Sequence, residues 1–233
     1  MEKVIQELFK AIPQFLISFF TLIGSPRQFP INKLPKNENE KLSRLTEALT
    51  FVMIAYVIIV LLSALKKGHL KLEMIEIGTN AVVILIRITF SGFAFYLGWL
   101  TFGTKQAFIK YFIIYSYQFG LVFLLYSIGG VISDGFIKTF DLELFKKLIE
   151  IKETKKWDSH ILENNVFIVG LTIDLLTIIM CSIWTLCSWG AYRIINNVSR
   201  LKSLVILFVT GIYSWLAVGL GMLVISGLSY TSK

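Results

Sequence analysis

Five stretches of this chain are too long and too apolar to face water. Residues 48–65 (ALTFVMIAYVIIVLLSAL) carry no charge and stop at Lys66 and Lys67. Residues 78–102 hold one charge, Arg87, and residues 166–192 hold one, Asp174; residues 111–132 and 204–230 hold none. A helix needs about 20 largely apolar residues to cross the roughly 30 Å hydrocarbon core of a bilayer. Only a helix or a closed barrel satisfies its own backbone there. The expected fold is all-α: a polytopic membrane protein with five transmembrane helices. Composition agrees, because only 16% of residues are charged, against about 25% in soluble domains. An ordinary soluble enzyme and a disordered chain are thereby excluded.

The net charge of +8 invites a nucleic-acid reading, but every Lys and Arg except Arg87 lies outside the spans or at their edges. Headgroups account for that distribution. No basic stripe with interleaved aromatics appears, so nucleic acid is not an expected partner. Cys181 and Cys187 sit six apart in one span, on largely opposite helix faces, and read as inert thiols. Trp99, Tyr111, Trp189, Tyr192 and Tyr230 lie near span ends, where interfacial anchoring is expected.

The chain divides into residues 1–44, an N-terminal amphipathic helix and connector, and residues 45–233, the five-helix domain with an amphipathic loop at 133–165. Lys3, Glu7, Lys10, Gln14, Ser18 and Thr21 recur at three or four and form one narrow polar stripe. Such a helix lies in the headgroup region or packs on the bundle. A cleavable signal is disfavoured by two preceding glutamates and by Pro26 after Gly24 and Ser25. Residues 25–41 hold three of the four prolines and read as an irregular connector. Within 133–165, Ile137, Phe140, Leu144, Leu148 and Ile151 mark a second amphipathic helix. With the N-terminus inside, cytoplasmic segments hold 12 basic residues against 10 outside; the first segment usually dominates, which favours that orientation.

Arg87 and Asp174 stand nine and eight residues into spans that start from the same face, roughly 12–14 Å deep at the rise of a helix. Equal depth and opposite sign suggest an intramembrane ion pair, either a clamp between helices or a gate or relay. Gln118, Asn80 and Thr177 are candidates to line a polar path. Ala94 with Gly98, Ser116 with Gly120, and Ala217 with Gly221 are small residues four apart, which permit close helix approach. No HExxH, GxSxG, P-loop or GxGxxG run is present, and His69 and His160 lack spaced carboxylates. No catalytic residue, metal site or cofactor is therefore expected. Asn197-Val198-Ser199 matches a glycosylation acceptor in a loop too short and too close to the bilayer to serve.

A proline and phenylalanine in the short segment Ser25-Pro26-Arg27-Gln28-Phe29, then Ala48-Leu49-Thr50-Phe51 opening five close-set spans, resemble the bacterial branch of the Ypt-interacting-protein (Yip) membrane family. The likeness covers roughly residues 19–227. The acidic-Leu-Tyr-Gly-Pro signature of eukaryotic members is missing. The resemblance implies a five-helix bundle, a cytosolic N-terminus and no enzymatic activity. The expected function is to bind or organise a membrane-protein partner or lipid in a bacterial cytoplasmic membrane, with self-association as a further expectation. Alternatives are a small transporter or channel through Arg87 and Asp174, an immunity protein against a toxin, and residence in a eukaryotic endomembrane.

Overall fold

A computed structural model of the protein describes residues 2–67, 74–154 and 159–231, with side-chain surroundings for 11–64, 78–151, 154, 160–217 and 219. The elements are α1 (Glu2–Gly24), α2 (Gln28–Asn32), α3 (Lys41–Lys67), α4 (Met74–Leu100), α5 (Phe108–Phe140), α6 (Leu142–Thr154), α7 (Asn165–Asn196) and α8 (Arg200–Thr231). Among the described residues there is no strand. Five helices, α3, α4, α5, α7 and α8, are long and apolar enough to cross a membrane. His69 lies outside the described residues, as do the side chains of Lys3, Glu7, Lys10, Tyr230 and the surroundings of Gly221.

The central helix is α5, packed against α3, α4 and α7, while α8 lies on the outside of α4. Small residues let these helices close up. Gly120 of α5 rests on Phe51 and Val52 of α3, Gly92 of α4 on Phe112 of α5, Gly98 of α4 on Thr210 of α8, and Gly129 of α5 on Thr177 of α7. Lipid tails are as apolar as leucine, so close packing and interhelical hydrogen bonds hold such helices together.

The N-terminal helix packs on the bundle, one of its two expected placements, whereas the loop segment differs from its expected form. The helix α5 runs on to Phe140, so Ile137 and Phe140 extend the span instead of starting a loop helix. Nothing between 132 and 140 interrupts it. The break comes at Asp141, whose carboxylate accepts the Leu144 N–H at 2.8 Å and starts α6. Ile137 then packs with Leu144, Phe145 and Ile161 in a small core. The connector is also more ordered than expected: α2 buries Phe29, and Asn37 caps a short 3-10 turn.

The polar stripe of α1 does not all face the headgroups. Ser18 is buried with Phe15 and Leu22, whereas Ile12, Leu16, Ile17, Phe20 and Ile23 are exposed. Phe15 meets Phe51 of α3 with ring centroids 4.8 Å apart, and Arg27 Nε donates to the Cys187 carbonyl of α7 at 2.9 Å. Phe51 is level with Gly120 of α5, and Cys187 adjoins Ser188, which Gln118 of α5 reaches. The segment from α1 to α2 therefore runs across the faces of α3, α5 and α7. Its apolar outer side suits lipid.

Candidate functional site

The ends of α4, α5, α7 and α8 converge on a plug of aromatic rings. Trp99 stacks on Trp189 at 5.5 Å and Tyr111 on Tyr192 at 5.8 Å. All four are buried, so they are core, in place of the lipid-facing anchors expected. The sequence placed them at span ends correctly, but ring-to-ring packing turned them inward.

A polar layer ties the α4–α5 and α7–α8 loops together beyond that plug. The side chains of Thr104 and Asn196 are hydrogen-bonded, and Tyr111 Oη donates to Asn196 Oδ1 at 2.7 Å. Asn196 Nδ2 donates back to the Tyr192 carbonyl at 2.8 Å. Gln106 Nε2 donates to the Ile195 carbonyl at 2.9 Å, and Lys110 Nζ to Gln106 Oε1 at 2.9 Å. Two residues in left-handed backbone make the turns: Gly103 at φ 79° and Asn197 at φ 49°. Asn suits that region as a helix terminator. Between the loops lies a cavity of about 420 Å³, bordered by Trp99, Thr104, Lys105, Gln106, Asn197 and Lys202, with no carboxylate in its lining.

A smaller cavity, about 150 Å³, lies where α1 crosses α3 and α5. Gln14, Ser18, Thr46, Glu47, Thr50 and Tyr117 supply its polar groups. The Tyr117 hydroxyl is buried without a hydrogen-bond partner among the described residues. Glu47 is already paired with Lys33 and Arg44. A water molecule occupies about 30 Å³, so the space suits a few waters bridging these groups.

Arg87 and Asp174 are not brought together. Among the described residues no ion pair joins them, and their helices touch at the aromatic plug, away from both charges. Arg87 is within electrostatic reach of Tyr115, which shares a hydrogen bond with Ser91; with Gly92 against Phe112 this sets it near Phe119 of α5. Thr177 against Gly129 and Gly170 against Ser133 set Asp174 near Ile132. About 13 residues of helical rise separate those levels, roughly 20 Å. The expected equal depth fails because α7 starts beside the extended end of α5, well beyond the start of α4. Span-start counting had no access to that offset.

The remaining candidates serve helix contacts or face outward. Gln118 is 7% exposed and its Nε2 donates to the Ser188 carbonyl of α7 at 3.1 Å. Thr177 Oγ1 donates to Ile173 O of its own helix at 2.9 Å. Asn80 and Arg87 are exposed on α4. Ala94 and Ser116 are buried beside Gly98 and Gly120, on the faces that meet α8 and α3; Ala217 is half-buried. Cys181 and Cys187 are free thiols, and no metal-binding group of His, Cys, Asp and Glu occurs among the described residues.

Sequence reading passed over Thr104, Gln106, Asn196 and the two lysines of the larger cavity. A signal existed: residues 101–110 and 193–203 contain Lys105, Lys110, Arg193, Arg200 and Lys202 and no Asp or Glu. Their convergence is a tertiary fact. No protein-family model, curated protein or solved structure matches this chain.

Proposed function

We propose that this is a non-enzymatic integral membrane protein that binds or organises another membrane component, a protein partner or a lipid. The observation that supports this reading is the disposition of polar groups. Inside the spans some link helix to helix, as Gln118 does with Ser188 and Ser133 with Gly170, and others, such as Ser116 and Thr177, bond to their own helix. At one end, polar groups of two loops surround the larger cavity. A transport path through Arg87, Gln118 and Asp174 finds no such support, since one of the three is engaged and the other two are far apart. The resemblance to the Yip family points the same way, and with the basic loops it favours a bacterial cytoplasmic membrane with the α3 N-terminus inside.

The test is reconstitution of the purified chain into liposomes, alongside cross-linking in native membranes. The expected result is no ion or solute flux above empty vesicles, with a defined cross-linked lipid or protein. Flux that disappears in the Gln118→Leu variant would establish the transporter instead.

A further inference from the structure

We infer that the cavity between the α4–α5 and α7–α8 loops is a binding site for a phosphate-bearing anion, the headgroup of an anionic phospholipid. This rests on the binding role proposed above and names its ligand class. Lys105 and Lys202 border the cavity from the two loops, and no carboxylate lines it. The same two loops also carry Lys110, Arg193 and Arg200 and no acidic residue, while Glu38, Glu40 and Glu47 at the start of α3 are already paired with Lys41, Arg44 and Lys33. Self-repulsion among five cations disfavours such an arrangement unless anions compensate it. Lysine supplies the point charge for a phosphate, while Thr104, Gln106 and Asn197 surround it with neutral polar groups.

A second observation is independent of charge. Trp99 lines the cavity and is 1% exposed, yet its indole Nε1 has no hydrogen-bond partner among the described residues. An indole N–H can only donate, and a buried donor without an acceptor is uncommon in folded proteins. That atom is closed to the cavity as it stands, so an anionic oxygen there would supply the acceptor with a small shift of the indole. The walls are held by the Thr104–Asn196 and Gln106–Ile195 hydrogen bonds, so the site is formed in advance of ligand. A lipid suits it better than free phosphate, because Leu201, Leu204, Val205 and Phe208 of α8 are exposed beside Lys202 and offer apolar surface to acyl chains.

The delipidated full-length chain in non-ionic detergent is titrated with phosphatidylglycerol and with phosphatidylcholine, and bound lipid is counted by native mass spectrometry. Saturable binding is expected for phosphatidylglycerol in preference to phosphatidylcholine. Lys105→Gln with Lys202→Gln should weaken it at least about tenfold, the loss expected for charge-assisted hydrogen bonds. Lys105→Gln alone, in an exposed loop, should weaken it less, and Lys146→Gln on α6 should leave it unchanged. Trp99→Phe keeps an aromatic side chain and removes the indole N–H, and should also weaken binding. Competition by millimolar inorganic phosphate would identify free phosphate as the ligand of the same site; its failure to compete identifies the lipid headgroup. Equal affinity for both lipids, or an unchanged titration in folded lysine variants, overturns the proposal. Liposome flux would overturn the binding role without altering this titration, so the two failures are distinguishable.

Discussion

Asp141 and Asn164 each cap a different helix and are hydrogen-bonded to one another. Asp141 Oδ1 accepts the Leu144 N–H of α6, Asn164 Oδ1 accepts the Val166 N–H of α7 at 2.8 Å, and Asn164 Nδ2 donates to Asp141 Oδ2 at 3.0 Å. The beginnings of α6 and α7 are thereby joined at the end of the α5–α7 pair, where Ile137 closes the small core.

That junction is sensitive to acid. The Leu144 N–H, and then the Asn164 amide, hold the Asp141 carboxyl below the usual carboxylate range. The unfolded chain has an ordinary aspartate with a pKa of about 4. The stabilisation is therefore complete above that value and is lost as pH falls through the lower folded value. Melting temperature in detergent should fall between pH 6 and pH 3, and by less in Asp141→Asn. Identical acid limbs in the two proteins would refute the capping account.

Gly98 has no room for a methyl group, because its Cβ would collide with the Thr210 side chain and approach the Thr210 backbone. Gly98→Ala should cost roughly 1–3 kcal/mol, the usual range for overpacking. Thr210→Ala in the same chain should recover part of the loss. Equilibrium unfolding in mixed micelles measures both. No loss in the single variant would show that α8 rides freely on α4.

Gln118→Leu keeps the approximate volume and removes the donor to Ser188 O. A loss of about 1 kcal/mol is expected, with helix content unchanged by circular dichroism. A loss near zero would mean that the carbonyl is satisfied by its own helix alone.

Arg87→Gln and Asp174→Asn should be additive. Groups more than 7–10 Å apart without shared partners couple by less than about 0.5 kcal/mol. A double-mutant cycle on unfolding free energy reads this directly, and a coupling of several times that size would restore the ion pair.

Much of the membrane architecture was legible from the chain alone. Uncharged runs near 20 residues admit few structures in hydrocarbon, so the number of spans and their approximate limits followed from local composition. Helix ends with a chemical marker were readable in principle, as at Asp141 and Asn197. The candidate site was far less legible. Arg87 and Asp174 drew notice because intramembrane charge is costly, yet the layer of Thr104, Gln106 and Asn196 lies among ordinary loop residues.

By itself, then, the sequence determined the class, the five spans and the placement of positive charge outside them, because transfer of each residue into hydrocarbon is a local free energy. Only the tertiary structure decided which helices are neighbours, how far α7 is displaced along α5, and that α1 turns Ser18 inward. Those outcomes depend on register and on close contacts such as Gly98 with Thr210 and Gly129 with Thr177. Lipid contributes little to choosing among them, since it solvates every apolar face almost equally; packing and interhelical hydrogen bonds choose, and both exist only once the helices have met.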